Sequence, residues 1–306
     1  MKEIYCSECG KKNKADNIIC EFCSSTLKTD KIVQGKAINS FEDLITEENI
    51  KLLINTSFTP EVYRSILEEI IRTGYDNFQY DFNVSVLDNV FQLAEQYTHV
   101  YAKHKGNSAL GLYSANNIYL DERMPEAKKI STLIHELTHH IYYEIYEQWL
   151  MYIFKIEKNI YLEAFVLFSL SLPHLKAFNE YIAHTTQSRF EEPGCQNYSS
   201  FVELRTEYKL NMKELAPHFA FGRSVSDGIT MIIGSFINDS VREQIIEQFD
   251  IDNIPKINEI DFNNLPRMSE QDKIDGMKKF LIDAAMAAFK NKDDREFLKT
   301  FAQYFN

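Results

Sequence analysis

Residues 126–147 read EAKKISTLIHELTHHIYYEIYE, and this stretch decides the fold of the 306-residue chain. Apolar residues recur along it at three- and four-residue spacings, the period of one face of an α-helix. They are Ile130, Leu133, Ile134, Leu137, Ile141 and Ile145. Pro125 suits a first helical turn, and Glu126 places a negative charge near the helix N-terminus. The stretch therefore predicts a helix from about residue 126 to residue 147.

Two histidines and a glutamate lie inside this helix, in the string His135-Glu136-Leu137-Thr138-His139. Positions four apart lie on one helix face, about one turn from each other, so the two imidazoles can bind one Zn²⁺. Glu136 lies beside them and can accept a proton from a metal-bound water. The alternative is two surface histidines beside an unrelated glutamate. The helical period around the motif favours the metal site.

Three short stretches upstream of the motif are typical of β-strands, with a turn at Gly106-Asn107: residues 98–104, 109–113 and 117–120. Strands that lead into an HExxH helix resemble the core of the zincin metallopeptidases, over roughly residues 60–190. The resemblance implies an α+β, mostly helical fold with a zincin-like core, in which a short sheet accompanies the active-site helix. It also implies that the last strand, in residues 116–120, forms the upper edge of the cleft and pairs with an extended substrate.

A catalytic zinc usually has three protein ligands and one open position. The sixth residue after His139 is Ile145, so the third histidine of the metzincin pattern is absent. Residues 179–184 read NEYIAH, which resembles the gluzincin pattern Asn-Glu-x-x-Ser-Asp. This resemblance implies that Glu180 is the third ligand. His184 stands where the pattern has Asp, and we assign it a supporting catalytic role toward the general base or a zinc histidine, or a place among the ligands.

Glu163 is the rival third ligand, because it follows His139 at a spacing that short gluzincin-like peptidases also use. Its surroundings are apolar, and a buried carboxylate needs a partner such as zinc. His174 and His184 are further alternatives. Four downstream residues are candidates for stabilising an oxyanion: Tyr198, Tyr208, His218 and Arg223. His140 diverges from His139 by about 100° around the helix, so we interpret it as a polar surface residue.

Four of the five cysteines form two CxxC pairs ten residues apart: Cys6, Cys9, Cys20 and Cys23. Four thiolates at this spacing predict a closed tetrahedral zinc site with a structural role. The segment resembles a zinc ribbon. Two disulfides are the alternative, but no apolar signal segment precedes the cysteines, which favours metal and a cytoplasmic location. The cofactors predicted for the chain are therefore two Zn²⁺ ions, one catalytic and one structural.

The domain organisation follows from these motifs. We assign residues 1–27 to the zinc ribbon, 28–45 to a polar linker, and 46–306 to a zincin-like domain with a helical C-terminal part. Cys195 is interpreted as a loop thiol. Further expected features are helices at 60–72 (ending before Gly74), 84–96, 270–290 and 293–304, buried helices within 149–172, a buried stretch at 230–236, a turn closing the Glu180 helix at 191–194, and a polar connection at 250–266.

The charge balance limits the partners. The chain carries 45 acidic and 33 basic residues, a formal charge of −12, which disfavours a large nucleic-acid surface. No stretch predicts a convincing membrane span, because the most apolar one contains charged residues. A protein or peptide substrate is expected, and the ribbon is a possible contact for a protein partner.

These features together predict a cytoplasmic zinc metallopeptidase with Glu136 as general base. Small intracellular peptidases of the ImmA/IrrE group resemble this arrangement and imply narrow specificity. One alternative is a zinc-binding interaction or regulatory protein with an inactive zincin core. Another is a DNA-associated peptidase resembling the SprT group, although those proteins usually place the ribbon after the catalytic part and use a third histidine.

Overall fold

The computed structural model describes residues 3–5, 12–14, 38–75, 78–102, 110–191, 197–211, 215–252 and 268–305. In this part of the chain the fold is α+β and mostly helical, as predicted, with a three-stranded sheet and a pair of short strands. All five cysteines, the turn at Gly106-Asn107 and most of the polar connection at 250–266 lie outside the described residues. The predictions for those positions stay predictions.

The strands are β1 (Glu3–Tyr5), β2 (Lys12–Lys14), β3 (His99–Ala102), β4 (Gly111–Ser114) and β5 (Asn117–Leu120). The first helices are α1 (Phe41–Leu44), α2 (Glu47–Asn55), α3 (Pro60–Tyr75), α4 (Val86–Glu95), α5 (Glu126–Phe154) and α6 (Ile160–Ser171). The remaining helices are α7 (Pro173–Gln187), α8 (Ser199–Glu207), α9 (Ala216–Ile233), α10 (Asp239–Ile251), α11 (Glu270–Lys290) and α12 (Lys292–Phe301), followed by a 3₁₀ turn over Ala302–Phe305.

The two N-terminal strands form an antiparallel pair that encloses the first CxxC motif. Glu3 lies opposite Lys14, and Tyr5 lies opposite Lys12. An antiparallel pair of strands on either side of Cys6 and Cys9 in the sequence is compatible with a zinc ribbon. The zinc site itself stays a prediction, because the cysteines are not among the described residues.

The folded core begins before residue 46, so the linker assignment is wrong for residues 38–45. Ser40 caps α1, and its side chain accepts a hydrogen bond from the Asp43 amide at 3.2 Å. Four apolar side chains of this segment are buried: Ile38, Phe41, Leu44 and Ile45. Their spacings of three, three and one suit one helix face, but the helix has only four residues, which is too short for a search for sustained periodicity.

The sheet has the strand order β3-β5-β4. β5 pairs in parallel with β3 and antiparallel with β4. The cleft-edge prediction for residues 116–120 is therefore wrong, because β5 is the central strand and β4 is an edge strand. The connection between β4 and β5 is a tight turn at Ala115 and Asn116, both with positive φ (45° and 61°). This conformation suits the Asn more than the Ala.

Helix α5 is longer than the sequence prediction by about two turns. Its last turns continue to bury apolar side chains, including Trp149, Leu150 and Ile153. The helix ends at Lys155, which adopts a left-handed conformation with φ of 55°. The sequence predicts one or two separate buried helices within residues 149–172, because the run is mostly apolar and a uniformly apolar run carries no period that marks a boundary.

Helices α5, α7 and α9 pack side by side and form the centre of the molecule. α6 lies between α5 and α7 in sequence and buries most of its apolar residues. Across the described ranges, no single helix combines the length and apolarity of a membrane span, and α6 and α7 do so only as a pair bent by 89°.

The remaining helix predictions differ from the structure mainly at their ends. α11 matches its predicted bounds, and Ser269 forms a capping box with Asp272. Gly74 does not end α3, which continues to Tyr75. A Cβ at Gly74 would lie 2.0 Å from the Tyr97 ring, so this glycine allows close packing rather than a stop. In the stretch 230–236, Ile232, Ile233 and Phe236 are buried, but Met231 is 78% exposed.

Candidate metal centre

Helices α5 and α7 bring the HExxH histidines and Glu180 together. His135 Nε2 lies 3.5 Å from one carboxylate oxygen of Glu180, and His139 Nε2 lies 3.7 Å from the other. The two histidines belong to one face of α5, with ring centroids 4.8 Å apart. The Glu180 side chain is 23% exposed and that of His139 only 6%, so the group reaches solvent at its carboxylate side.

An amide oxygen from α7 holds the other nitrogen of each histidine. His135 Nδ1 lies 2.9 Å from Gln187 Oε1, and His139 Nδ1 lies 2.9 Å from Asn179 Oδ1. An amide oxygen can only accept a hydrogen bond, so both Nδ1 atoms donate. In a neutral imidazole, Nε2 then keeps its lone pair, which is the form that binds a metal.

These donor atoms fit zinc in type and spacing. Two ligand atoms of a tetrahedral zinc lie about 3.4 Å apart when each metal–ligand bond is about 2.0–2.2 Å. The His135–Glu180 and His139–Glu180 separations, 3.5 and 3.7 Å, are close to that value and longer than a usual N–H···O bond. Two imidazole nitrogens lie close to the two oxygens of one carboxylate, and donors of this kind need a cation beside them. The residues present therefore fit a zinc ion.

A proton can take the same place as the metal. Burial disfavours the charged form of His135, but Glu180 and Glu136 outweigh this effect and raise its pKa to about 9. Burial likewise favours a protonated Glu180, but the contact with His135 and the charges of the neighbouring histidines hold its pKa far below the usual range. A metal ion that binds here would displace the proton shared by His135 and Glu180.

Glu136 lies against the backbone of the edge strand β4. The backbone N–H of Tyr113 donates a hydrogen bond to its carboxylate, and burial raises its pKa while His135 and His139 lower it. A Cβ at Gly111 would lie 2.3 Å from Glu136 Oε1, so only glycine leaves room for the carboxylate. Strand β4 therefore positions the side chain that the motif assigns as general base.

His184 is a neighbour of the metal donors through Ser200. Ser200 Oγ donates to Glu180 Oε2 at 2.6 Å, so the 2.6 Å contact with His184 Nε2 requires the histidine to be the donor. Burial, together with the positive His135, lowers the pKa of His184 to about 3. Ligand atoms of His135, Glu180 and His184 lie within 4.8 Å of one another, so the three together could hold a metal ion. The supporting role toward Glu180 is the one its hydrogen bonds describe.

The rival ligand Glu163 lies elsewhere. Asn116 Nδ2 donates to Glu163 Oε1 at 3.0 Å, and Lys158 Nζ lies 3.6 Å from the same oxygen. Lys158 also contacts Glu144 Oε1 at 2.6 Å and Glu147 Oε2 at 2.7 Å. We call Glu144, Glu147, Glu163 and Lys158 the rear cluster. The carboxylate of Glu163 needs no metal, because the chain supplies a cation and an amide.

His140 is buried, with 2% exposure, so its interpretation as a surface residue is wrong. Its Nδ1 lies 3.1 Å from the Tyr113 hydroxyl, and a backbone hydrogen bond joins its ring to Tyr97. Burial lowers its pKa to about 4, which keeps it neutral. His140 does not share the face of His135 and His139, as the 100° divergence of adjacent helix positions predicts. It faces the sheet, which covers this side of α5.

The four oxyanion candidates are spread over α8, α9 and the segments around them. Tyr198 is buried, and its ring centroid lies 5.8 Å from that of His184. His218 is buried between Phe178 and Phe280. Tyr208 and Arg223 are not among the contacts of the metal donors. His174, an alternative ligand, is exposed and packs on Phe280.

Sequence reasoning missed four residues that hold the site: Gly111, Asn179, Gln187 and Ser200. Asn179 was within reach, because it precedes Glu180 in the pattern that suggested the ligand. Gln187 lies two turns after Glu180 on α7 and was also accessible from helical spacing. Gly111 and Ser200 depend on the approach of separate elements, which no local pattern encodes. The chain matches no protein-family model, and searches of curated proteins and of solved structures gave no match.

Proposed function

We propose that the chain is a zinc-dependent metallopeptidase whose catalytic metal is held by His135, His139 and Glu180. One observation carries the proposal: His135 Nε2 and His139 Nε2 lie 3.5 and 3.7 Å from the two oxygens of Glu180, close to the separation between ligands of a tetrahedral zinc, and Glu136 lies beside both histidines. The order of the short sheet, the HExxH helix and the Glu180 helix supports the resemblance to gluzincins. Zinc bound there would lower the pKa of a water molecule and polarise a substrate carbonyl.

The chain's own residues would then move the proton. Glu136 accepts it from the attacking water and returns it to the leaving amine. Burial raises the pKa of Glu136 in the metal-free chain, which is the direction that helps a carboxyl group to deliver a proton near neutral pH. Asn179 and Gln187 keep the histidines in the form that binds metal, and Ser200 restrains one oxygen of Glu180.

The edge of β4 is the place where an extended peptide would bind. Antiparallel pairing turns alternate backbone groups away from the partner strand, and the Tyr113 N–H already faces Glu136 on that side. Gly111 lies two residues away with the same orientation. A substrate strand added along this edge would pass directly over the general base. The substrate is therefore proposed to be an unfolded or locally extended protein segment.

The test is hydrolysis of an unstructured protein, casein, by the full chain loaded with zinc. We expect cleavage that disappears on chelation, returns with zinc, and falls by about 10²–10⁴-fold in Glu136→Gln. The matched control is Glu147→Gln, the same change at another buried glutamate of α5, which should keep its activity. Full zinc occupancy without cleavage of casein or of a peptide library would overturn the general peptidase and favour the binding protein.

A second, structural zinc on Cys6, Cys9, Cys20 and Cys23 is part of the proposal. It is supported by the spacing of the cysteines and by the hairpin of β1 and β2. Elemental analysis should give two zinc ions per chain. Cys6→Ser with Cys9→Ser should remove one and leave casein cleavage by the other site in place.

A further inference from the structure

Gln187 is the partner of His135, and its orientation decides which proton form the histidine adopts. An amide side chain can present either its oxygen or its NH₂ group to a neighbour. If the oxygen faces His135 Nδ1, that nitrogen carries the hydrogen and Nε2 is free to bind metal. If the NH₂ group faces it, Nδ1 must accept, the hydrogen moves to Nε2, and the metal is excluded.

Two acceptors behind Gln187 select the first orientation. Gln187 Nε2 lies 2.9 Å from Glu191 Oε1 and 2.8 Å from Ser131 Oγ. A flipped amide would place its oxygen against the Glu191 carboxylate, with two acceptors and no hydrogen between them. Ser131 cannot select alone, because a hydroxyl can donate as well as accept. The choice therefore depends on Glu191.

Glu191 is buried, with 2% exposure, and it has no contact with the zinc donors themselves. Ser131 Oγ lies 3.4 Å away. Burial raises the pKa of Glu191 to about 7 against the opposing effects of Lys128 and of the hydrogen bonds from Gln187 and Ser131, so the carboxylate is mainly ionised above pH 7. A buried carboxylate is costly unless it is hydrogen-bonded. Glu191 lies one turn beyond the end of α7, and its carboxylate accepts a hydrogen bond from the Gln187 amide. In this position it can fix the orientation of that amide.

We propose that Glu191 is a positioning residue of the metal site, which acts through Gln187 to hold His135 in the form with hydrogen on Nδ1. The inference rests on the proposed metal site but not on peptidase activity. It predicts that the Glu191 carboxylate, the Gln187 amide and the His135 imidazole form a chain of hydrogen bonds. Because the carboxylate can only accept, it decides which group donates in each bond of the chain.

The test is the zinc affinity of the full chain, measured at pH 7.5 by competition with a chelator of known affinity. His139→Ala supplies the baseline for zinc held elsewhere. Loss of a group that contacts a metal ligand costs about 10–100-fold in affinity, so Glu191→Gln, one bond further out, should cost about fivefold. Glu147→Gln is the matched control, since Glu147 is equally buried and lies outside this chain of bonds.

The decisive variant exchanges the two side chains, Gln187→Glu with Glu191→Gln. The carboxylate then accepts directly from His135 Nδ1, and the amide donates to it from behind, so zinc affinity should return to at least the wild-type value. The Nδ1 proton of zinc-loaded His135, followed by NMR and assigned with His135→Gln, should exchange faster in Glu191→Gln and slowly again in the exchanged variant.

Unchanged affinity in Glu191→Gln, an equal loss in Glu147→Gln, or an exchanged variant as weak as Glu191→Gln would each overturn the inference while leaving the metal site in place. Wild type without zinc above the His139→Ala baseline would overturn both. A loss in Glu191→Gln that the exchange restores, in a chain that cleaves nothing, would support the positioning role and remove only the peptidase.

Discussion

Two groups of buried charges lie along helix α5, and they are neutralised in different ways. The rear cluster combines three carboxylates with Lys158, a cation supplied by the chain itself. The metal centre combines Glu180 with two imidazoles whose outer nitrogens are fixed by amides. Both are costly to bury. In the second, the carboxylate faces imidazole nitrogens, which can bind a metal ion, rather than a lysine.

This difference separates a structural cluster from a binding site better than composition does. Glu163 and Glu180 both follow the HExxH motif on apolar helices, and the sequence alone allows either to be the third ligand. The structure distinguishes them by their partners, because Glu163 is engaged by Lys158 and Asn116, whereas Glu180 meets histidine nitrogens. A carboxylate that the protein already neutralises is a poor candidate for a metal.

The largest expected effect is loss of the metal ion, and it tests whether the metal centre and the rear cluster differ as described. Glu180→Ala should lower the zinc content by one ion per chain and abolish casein cleavage, because two histidines alone leave the site open and weak. Glu163→Ala should keep its zinc. The measurement is elemental analysis after dialysis at a fixed free zinc concentration. The reverse result, with zinc lost in Glu163→Ala, would assign the third ligand to the rear cluster.

A smaller effect is expected at the contact between β4 and Glu136. Gly111→Ala would place a methyl group about where the carboxylate now lies, since the added Cβ falls 2.3 Å from Glu136 Oε1. A misplaced catalytic group costs up to about 10²-fold in rate, so kcat on a peptide substrate should fall by that order with zinc retained. Ser114→Ala on the same strand is the control. A kcat equal to that of the wild type would argue against Glu136 as the general base.

The rear cluster should respond to loss of its cation through stability rather than activity. Lys158→Met leaves Glu144 and Glu147 facing each other and should cost about 2 kcal/mol in the free energy of unfolding, less than a fully buried pair because Lys158 is 37% exposed. Zinc should not restore the loss.

The pH dependence of this variant has a definite sign. Burial, with Glu144 adding repulsion, raises the pKa of Glu147 from 4.5 to about 8 in the folded state. The folded state therefore binds the proton more tightly, and stability falls as pH rises through that interval. Without Lys158 the fall should steepen. Urea unfolding at pH 6, 7 and 8 measures it, and a loss independent of pH would argue against the cluster.

The smallest effect at pH 7 concerns His218, a buried histidine for which the described residues provide no counter-ion. Neither of its nitrogens has a hydrogen-bond partner among the described residues, and burial keeps its pKa well below 6.5. Below about pH 6.5, His218 binds a proton in the unfolded chain but not in the folded chain. The free energy of unfolding therefore falls as the pH falls.

His218→Leu should therefore stabilise the protein by about 1 kcal/mol at pH 7, because it removes unsatisfied buried polar atoms. Its advantage should grow by up to about 1.4 kcal/mol per pH unit below pH 6.5. Urea unfolding at pH 7, 6 and 5 is the measurement. His174→Leu, an exposed neighbour across Phe280, should stay within about 0.5 kcal/mol of wild type. A constant difference across these pH values would contradict the assignment.

Sequence patterns predicted the parts of the fold that depend on local period. The α+β class, the HExxH helix and the bounds of β5 and α11 follow from patterns within one element, and the structure places Glu180 beside His135 and His139, while its role as a ligand stays a prediction. The edge role of β4, the burial of His140 and the core position of residues 38–45 depend on which elements meet. A sequence pattern does not show which elements pack together. The wrong predictions therefore concern the order of the strands in the sheet and the side of α5 that the sheet covers.

Helix α7 carries Asn179, Glu180 and Gln187, which together touch both histidines of α5. The whole of α6 lies between these two helices in the sequence. A metal ion bound there would act as a removable cross-link that closes a long loop, in the way a disulfide does, but under the control of free zinc. Chelation would then loosen the packing of α5, α7 and α9 before it altered any peripheral helix. The metal would therefore decide which helices unfold first.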